Sequence, residues 1–281
     1  MFKMLANLQK ENLNYFYTIL LITLLPILIL SSSVLTNLSV VIICFLFLFS
    51  YFKEKKYNIF QDKLFIILFF FWTIILINLF LSLNFENSFL RSVGFLRFII
   101  FVAALIYFIN LKKFKFLKFI LFFWLFIFTF ISFDLLFEFI FGKNIFGFSS
   151  YMPGRLAGVL NDELKIGNYY LGFYFITIAS IITYFKKKNF IILFSIVFFT
   201  IIAFLIGERA NFLRLFIGLI IFLLFWNKFN IKLKIFGLIL IITSISLFFN
   251  LNKDLNYRFN KAFLEIVLQK NGTSNYLYNS Q

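Results

Sequence analysis

The sequence predicts an all-α fold, a polytopic integral membrane bundle of about nine transmembrane helices. Three observations carry this. The chain of 281 residues is 63% hydrophobic with a mean hydropathy of +0.99, against about 45–50% apolar residues in soluble domains. Uncharged runs of 18 or more residues recur along it, each long enough to span a bilayer. Lysines gather in every second connection between those runs, the pattern of a chain that crosses back and forth.

Nine apolar spans are expected at about 16–34, 37–52, 64–83, 92–110, 117–141, 166–185, 189–206, 210–227 and 233–250. The first follows "MFKMLANLQKENLNYFYTILLITLLPILIL". Its apolar run is long and no small-x-small cleavage site follows, so it reads as a helix that stays rather than a cleaved signal. The second and third spans flank "KEKKYNIFQDK" with Lys53, Lys55, Lys56 and Lys63. The fourth and fifth flank "LKKFKFLK" with four more lysines. Lys186, Lys187 and Lys188 join the sixth to the seventh, and Lys228, Lys232 and Lys234 the eighth to the ninth. Lysine-rich connections belong in the cytoplasm. This places the N-terminus inside, with residues 84–91, 142–165, 207–209 and the segment from 251 on the trans side. Residues 1–250 therefore read as a transmembrane helical domain and 251–281 as the start of a periplasmic loop. The membrane also accounts for the net charge of +16 without nucleic acid as a partner. The lipid bilayer is the partner the composition calls for.

The fifty phenylalanines and abundant lysines reflect AT-rich codons, so no single Phe or Lys is informative. The one cysteine, Cys44, excludes an intrachain disulfide and a paired-cysteine metal motif. The absence of histidine removes the usual general base and the commonest metal ligand. No metal or other cofactor is expected. Asp162 and Glu163 resemble an acidic metal-binding pair, but no further ligand cluster accompanies them.

The six arginines are more informative. Arg91, Arg97, Arg155, Arg209, Arg214 and Arg258 all fall in trans-side segments or trans-side ends of spans. A guanidinium grips phosphate oxygens in a bidentate fork and stays charged. The fourth, sixth and eighth spans run from outside to inside, so their N-termini point to the trans face and favour an anion. Arg91, Arg155 and Arg209 lie near those N-termini, which predicts a trans-side pocket for a diphosphate. Arg214 lies about one turn into the eighth span. It is about 140° around the helix from Arg209 and is compatible with packing alone. A charge at the bilayer centre costs roughly 2.5–3.5 kcal/mol, and less near the edge, where long side chains snorkel. The alternative reading of Glu208 and Arg209 is a pair marking the membrane boundary. Asp134 and Glu138, i and i+4 on one face of the fifth span, read as counter-ions to Arg97 or Arg91 or as a structural charge inside the bundle. "GRLAGVLNDELKIGNYY", 154–170, carries Gly154, Gly158 and Gly167, which permit close backbone approach. Its alternative is an ordinary polar loop. "NGT" at 271–273 matches a glycosylation sequon, a weak signal.

The run "FDLLFEFIFGKNIFGFSSYMPGRLAGVLNDELKIGNYYLGFYF", followed by "LIGERANFLRLFIGLIIF", resembles the O-antigen ligase and O-antigen polymerase-related membrane proteins over about residues 60–281. The series "GKNIFG…GRLAG…NDE…G" and the turn "GERANF" carry the resemblance. It implies a glycosyltransferase of GT-C-like fold in the bacterial inner membrane. Such a protein would take a glycan from an undecaprenyl-diphosphate carrier on the periplasmic face. It would pass it to an acceptor glycan, lipid A-core or another hydroxyl in lipopolysaccharide assembly. Arg155 matches the family's Arg-x-x-Gly arginine and Arg209 the arginine of the tight turn. Arg91 and Arg214 are assigned by placement alone. The ligases carry a large periplasmic loop with a histidine proposed as base, followed by further spans. These 281 residues contain neither, so a C-terminally truncated chain is expected, and Glu163 or Asp162 becomes the candidate base. The alternative function is a membrane transporter or flippase of lipid-linked glycan. A non-catalytic membrane component is a third.

Overall fold

A computed structural model of the chain describes residues 13–54, 58–111, 115–160, 163–185, 188–226 and 229–260. Among these residues no strand forms. Among the described residues the helices that build the fold are α1 Leu13–Ser31, α2 Ser33–Glu54, α3 Lys63–Asn78, α4 Phe85–Leu111, α5 Lys115–Phe141, α6 Glu163–Tyr184, α7 Asn189–Leu205, α8 Arg209–Phe225 and α9 Ile231–Leu251, with a further helical stretch at 253–260. Helices α1 to α9 fall one for one on the expected spans. Seven of them, α1 to α6 and α9, are long and apolar enough to cross a bilayer, the build of a multi-pass membrane protein. α7 and α8 have 17 residues each, a length of about 26 Å at 1.5 Å per residue.

Two of the shifts from the expected boundaries have a side-chain cause. The break between α1 and α2 falls at Ser32, whose hydroxyl accepts the Val34 N–H at 3.1 Å. The fourth span begins at Phe85 rather than near 92 because the Asn84 side chain accepts the Asn87 N–H at 3.3 Å and its carbonyl takes the Ser88 N–H. That cap lets the polar stretch "FENS" join the helix, and it puts Arg91 in the second turn of α4.

The chain divides into two compact units, Met1–Trp124 and Leu125–Gln281. In the first, Tyr15, Ile19, Ile22 and Leu25 form one face of α1 and pack with Ile43 and Phe47 of α2 and Ala103, Ala104, Tyr107 and Phe108 of α4. Pro26 lies inside α1. It has no N–H to give the carbonyl four residues back, that of Ile22. The Trp124 indole N–H supplies the missing donor, lying 3.1 Å from both the Ile22 and Thr23 carbonyls.

The second unit holds the rest of α5 with α6 to α9. Phe128, Ile131 and Leu135 of α5, Ile166, Tyr170, Tyr174 and Ile178 of α6, Ile192 and Ile196 of α7, and Leu215 and Leu219 of α8 are fully or almost fully buried. Buried hydroxyls find partners across helices: Ser132 with Tyr170 at 3.0 Å and Tyr174 with Thr200 at 2.7 Å.

Candidate functional site

The loop after α5 is held by two carboxylates of that helix. Glu138, almost completely buried, accepts the Ala157 N–H on one oxygen at 3.0 Å and the Gly158 N–H on the other at 2.7 Å. Asp134, fully buried, accepts the Ile145 N–H at 2.9 Å. Asn144 ties the loop to itself. Its side-chain oxygen takes the Phe146 and Phe148 amides, and its nitrogen donates to the Gly158 carbonyl at 2.8 Å. Backbone amides hold both acids, and the Asn144 side chain is a further partner of Asp134. The two acids are structural charges that fold a loop back onto the helix end, the second of the two roles expected for them.

That loop meets the turn between α7 and α8. The Leu156 N–H donates to the Ile206 carbonyl at 3.2 Å. Gly207 has a φ of +75°, and a Cβ there would lie 1.9 Å from the Gly154 carbonyl oxygen. Only glycine can occupy this position, for its left-handed backbone and for the crossing itself. A Cβ on Gly154 would in turn lie 2.9 Å from the backbone of Asp254. Three chain segments therefore meet backbone to backbone: 154–157, 206–208 and the helical stretch 253–260 that follows α9.

Each segment carries or directly adjoins an arginine. Arg258 donates its Nε to the Gly207 carbonyl at 2.9 Å, and Arg209 donates an Nη to the Arg258 carbonyl at 3.0 Å. The two side chains clasp each other's segments in opposite directions. Arg155 differs. Its Nε and one Nη are buried, and neither meets a hydrogen-bond partner among the described residues. A buried donor on a permanent cation without an acceptor is costly, so it marks the place where an acceptor belongs.

Glu208 sits under this cluster. Its carboxylate lies directly over Gly167 of α6, where a Cβ would come 1.7 Å from Oε2. Oε2 is buried without a hydrogen-bond partner. It faces a cavity of about 10 Å³ lined by Gly167, Tyr170, Ile206, Asn211 and Leu215, roughly the room of one water. Burial pushes the Glu208 carboxyl above the usual carboxylate range, against the opposing pull of the Asn211 side chain and the charges of Arg155, Arg214 and Arg258. A polar relay joins the two helices beside it: Asn211 donates to Asn168 at 3.0 Å and Arg214 to Asn211 at 3.3 Å.

The expected site residues therefore divide. Arg155, Arg209 and Arg214 belong to the second unit and surround the turn at Gly207. Arg91 is exposed on α4 of the first unit. Arg97 is also exposed there, its guanidinium 4.7 Å from the ring centroid of Phe98. Glu163 opens α6, but its side chain, like Asp162 and the sequon at 271–273, lies outside the described residues. Among the described residues no group of three potential metal ligands forms. Sequence reasoning assigned nothing to Arg258, Asn211 and Asn168. Arg258 shared the one-sided placement of the other arginines and could have been included on that signal. The asparagines carried none.

No protein-family model, curated protein or solved structure matched this chain.

Proposed function

We propose that this chain is a glycosyltransferase of the O-antigen ligase or polymerase type, acting at the periplasmic face of the bacterial inner membrane. It transfers a glycan from an undecaprenyl-diphosphate carrier to an acceptor hydroxyl, that of another glycan or of lipid A-core. The observation that carries the reading is Arg155, with two buried guanidinium nitrogens and no partner among the described residues. It stands where the segments of Arg209 and Arg258 cross. A cluster of permanent cations, with donors left open, suits a diphosphate. The lysine pattern puts the connections bearing these segments on the trans side.

In the proposed reaction the acceptor oxygen attacks the anomeric carbon of the carrier-linked sugar. The bond from that carbon to the phosphate oxygen breaks, and its electron pair leaves with the carrier diphosphate. Arg155 stabilises the charge gathering there. Arg209 and Arg214 assist. Asp162 or Glu163 takes the acceptor proton.

The test is Arg155→Ala and Arg155→Lys, compared with the unaltered protein at matched membrane levels. Transferred glycan and carrier-linked glycan are measured on each face of the membrane. A preorganised donor of this kind is worth on the order of 10²–10³ in rate. Transfer is expected to fall by that much in both variants while carrier-linked glycan accumulates on the periplasmic face. Accumulation on the cytoplasmic face would favour the flippase. Wild-type transfer in Arg155→Ala would overturn the proposal.

A further inference from the structure

We infer that the arginine cluster takes up its anion together with one proton, and that the proton goes to Glu208. This rests on the anion-binding reading above. It makes Glu208 the internal counter-ion that a ligand must neutralise, and hence a residue that sets the charge of what the site accepts.

Gly167 sets the position of the carboxylate. Only a residue without a side chain leaves room there for the Glu208 carboxylate, so the carboxylate is seated against the backbone of α6. The groups around it are Arg155 from the loop, Arg214 and Asn211 from α8, and Arg258 from the C-terminal segment. α6 contributes Tyr170, whose hydroxyl is engaged by Ser132, with Lys165 exposed further towards its N-terminus. Arg209 is its neighbour in the chain. The arginines keep their charge at every accessible pH, so Glu208 is the group that can change. In the empty site the Asn211 hydrogen bond and the three guanidinium charges favour its ionised form, and burial works against them.

A divalent anion on the same guanidiniums places negative charge near a carboxylate whose Oε2 is cut off from solvent. Like charges at short range with little water between them disfavour joint ionisation. The bound anion therefore favours protonated Glu208. By linkage, protonated Glu208 favours the bound anion by the same factor. Between the titration point of the empty site and the higher one of the occupied site, affinity must fall as pH rises. The limit is tenfold per pH unit for one fully coupled proton.

Sulfate is the probe, because it keeps both charges from about pH 5 to 8. It is titrated by calorimetry into the purified full chain in neutral detergent at several pH values. Each titration is run in two buffers of different ionisation enthalpy. The unaltered protein is expected to bind more weakly as pH rises, by up to tenfold per unit, and to take up as much as one proton per sulfate. Glu208→Gln is expected to bind several-fold more tightly at about pH 7.5, with a flat pH profile. A flat profile with no proton uptake in the unaltered protein overturns the inference, as does an unchanged slope in Glu208→Gln. The buffer comparison decides even if the variant fails to fold. Sulfate binding that is absent, or is indifferent to Arg155→Ala, brings down the anion site itself, a separate failure. Inorganic pyrophosphate should displace sulfate from the same site.

Discussion

Removing the Glu138 carboxylate should cost the protein more than any exposed change on the same helix. Glu138→Ala deletes two short hydrogen bonds, from Ala157 at 3.0 Å and Gly158 at 2.7 Å. Hydrogen bonds to a charged group contribute roughly 1.5–3 kcal/mol each, which gives about 3–6 kcal/mol for the pair. The carboxylate also carries a desolvation cost that the variant no longer bears, so the lower end, about 3 kcal/mol, is the expected net loss. At about 2–4 °C per kcal/mol for a chain of this size, the unfolding midpoint in detergent should drop by about 6–12 °C. Glu138→Gln keeps one acceptor but turns an NH₂ towards the other amide, so it should recover only part of the loss. Phe126→Ala, at an exposed position of α5, is the control and should shift the midpoint little. The loop that Glu138 holds also carries Arg155, so sulfate affinity should fall in Glu138→Ala below the unfolding range. A midpoint within about 2 °C of the unaltered protein would refute the reasoning, because two buried amides cannot lose charged acceptors without consequence.

Gly207→Ala should be worse than an ordinary glycine replacement. The left-handed φ alone costs about 1–2 kcal/mol, and the new Cβ would stand 1.9 Å from the Gly154 oxygen, so the two backbones must part. A variant that unfolds at the normal temperature and still binds sulfate would exclude the crossing as a determinant of the site. Glu208→Gln should stabilise the empty protein at neutral pH. A carboxyl raised by burial binds its proton more readily folded than unfolded. Its ionisation therefore costs stability: the cost grows as pH rises from the unfolded value through the folded value, and it is gone below the unfolded value. The midpoint difference between variant and parent should shrink on acidification from pH 8 to below about pH 4.5. A constant difference would show that Glu208 does not titrate abnormally.

The helices were legible because each is a long apolar run bounded by lysines, and all nine fall where periodicity and charge put them. Boundaries moved where a single side chain caps a polar stretch, as Asn84 does for α4. The tight approaches were legible as glycines. Gly154 and Gly167 stood out in the loop motif and Gly207 in the turn, and all three prove to be contact points. What they touch was not legible. Spacing along one helix reports which residues share a face, and Asp134 and Glu138 do share one, but it carries nothing about what lies opposite. Their partners come from amides 11 to 20 residues away, and backbone amides leave no mark in a sequence. Glu208 read as half of a boundary pair with its neighbour Arg209. Folding turns Arg209 to a carbonyl 49 residues distant and leaves Glu208 facing three other arginines.

This changes which arginine is the informative one. Arg209 was attractive because it lies in a tight turn at a helix N-terminus. Yet it already bonds the Arg258 carbonyl, while Arg258 bonds the Gly207 carbonyl. Replacing Arg209 therefore opens a clasp as well as removing a cation, and lost transfer in Arg209→Lys would not separate the two effects. Arg155 bears no such load through its Nε and buried Nη. Its backbone N–H donates to the Met152 carbonyl, and the neighbouring Leu156 N–H joins the loop to the turn, whichever side chain stands at 155. A lysine there keeps the charge but has no planar fork. A side chain whose Nε and one Nη hold nothing among the described residues, on a backbone held by others, can be exchanged without moving the frame. Function lost at 155 with the unfolding midpoint unchanged would therefore speak for the chemistry of the guanidinium itself.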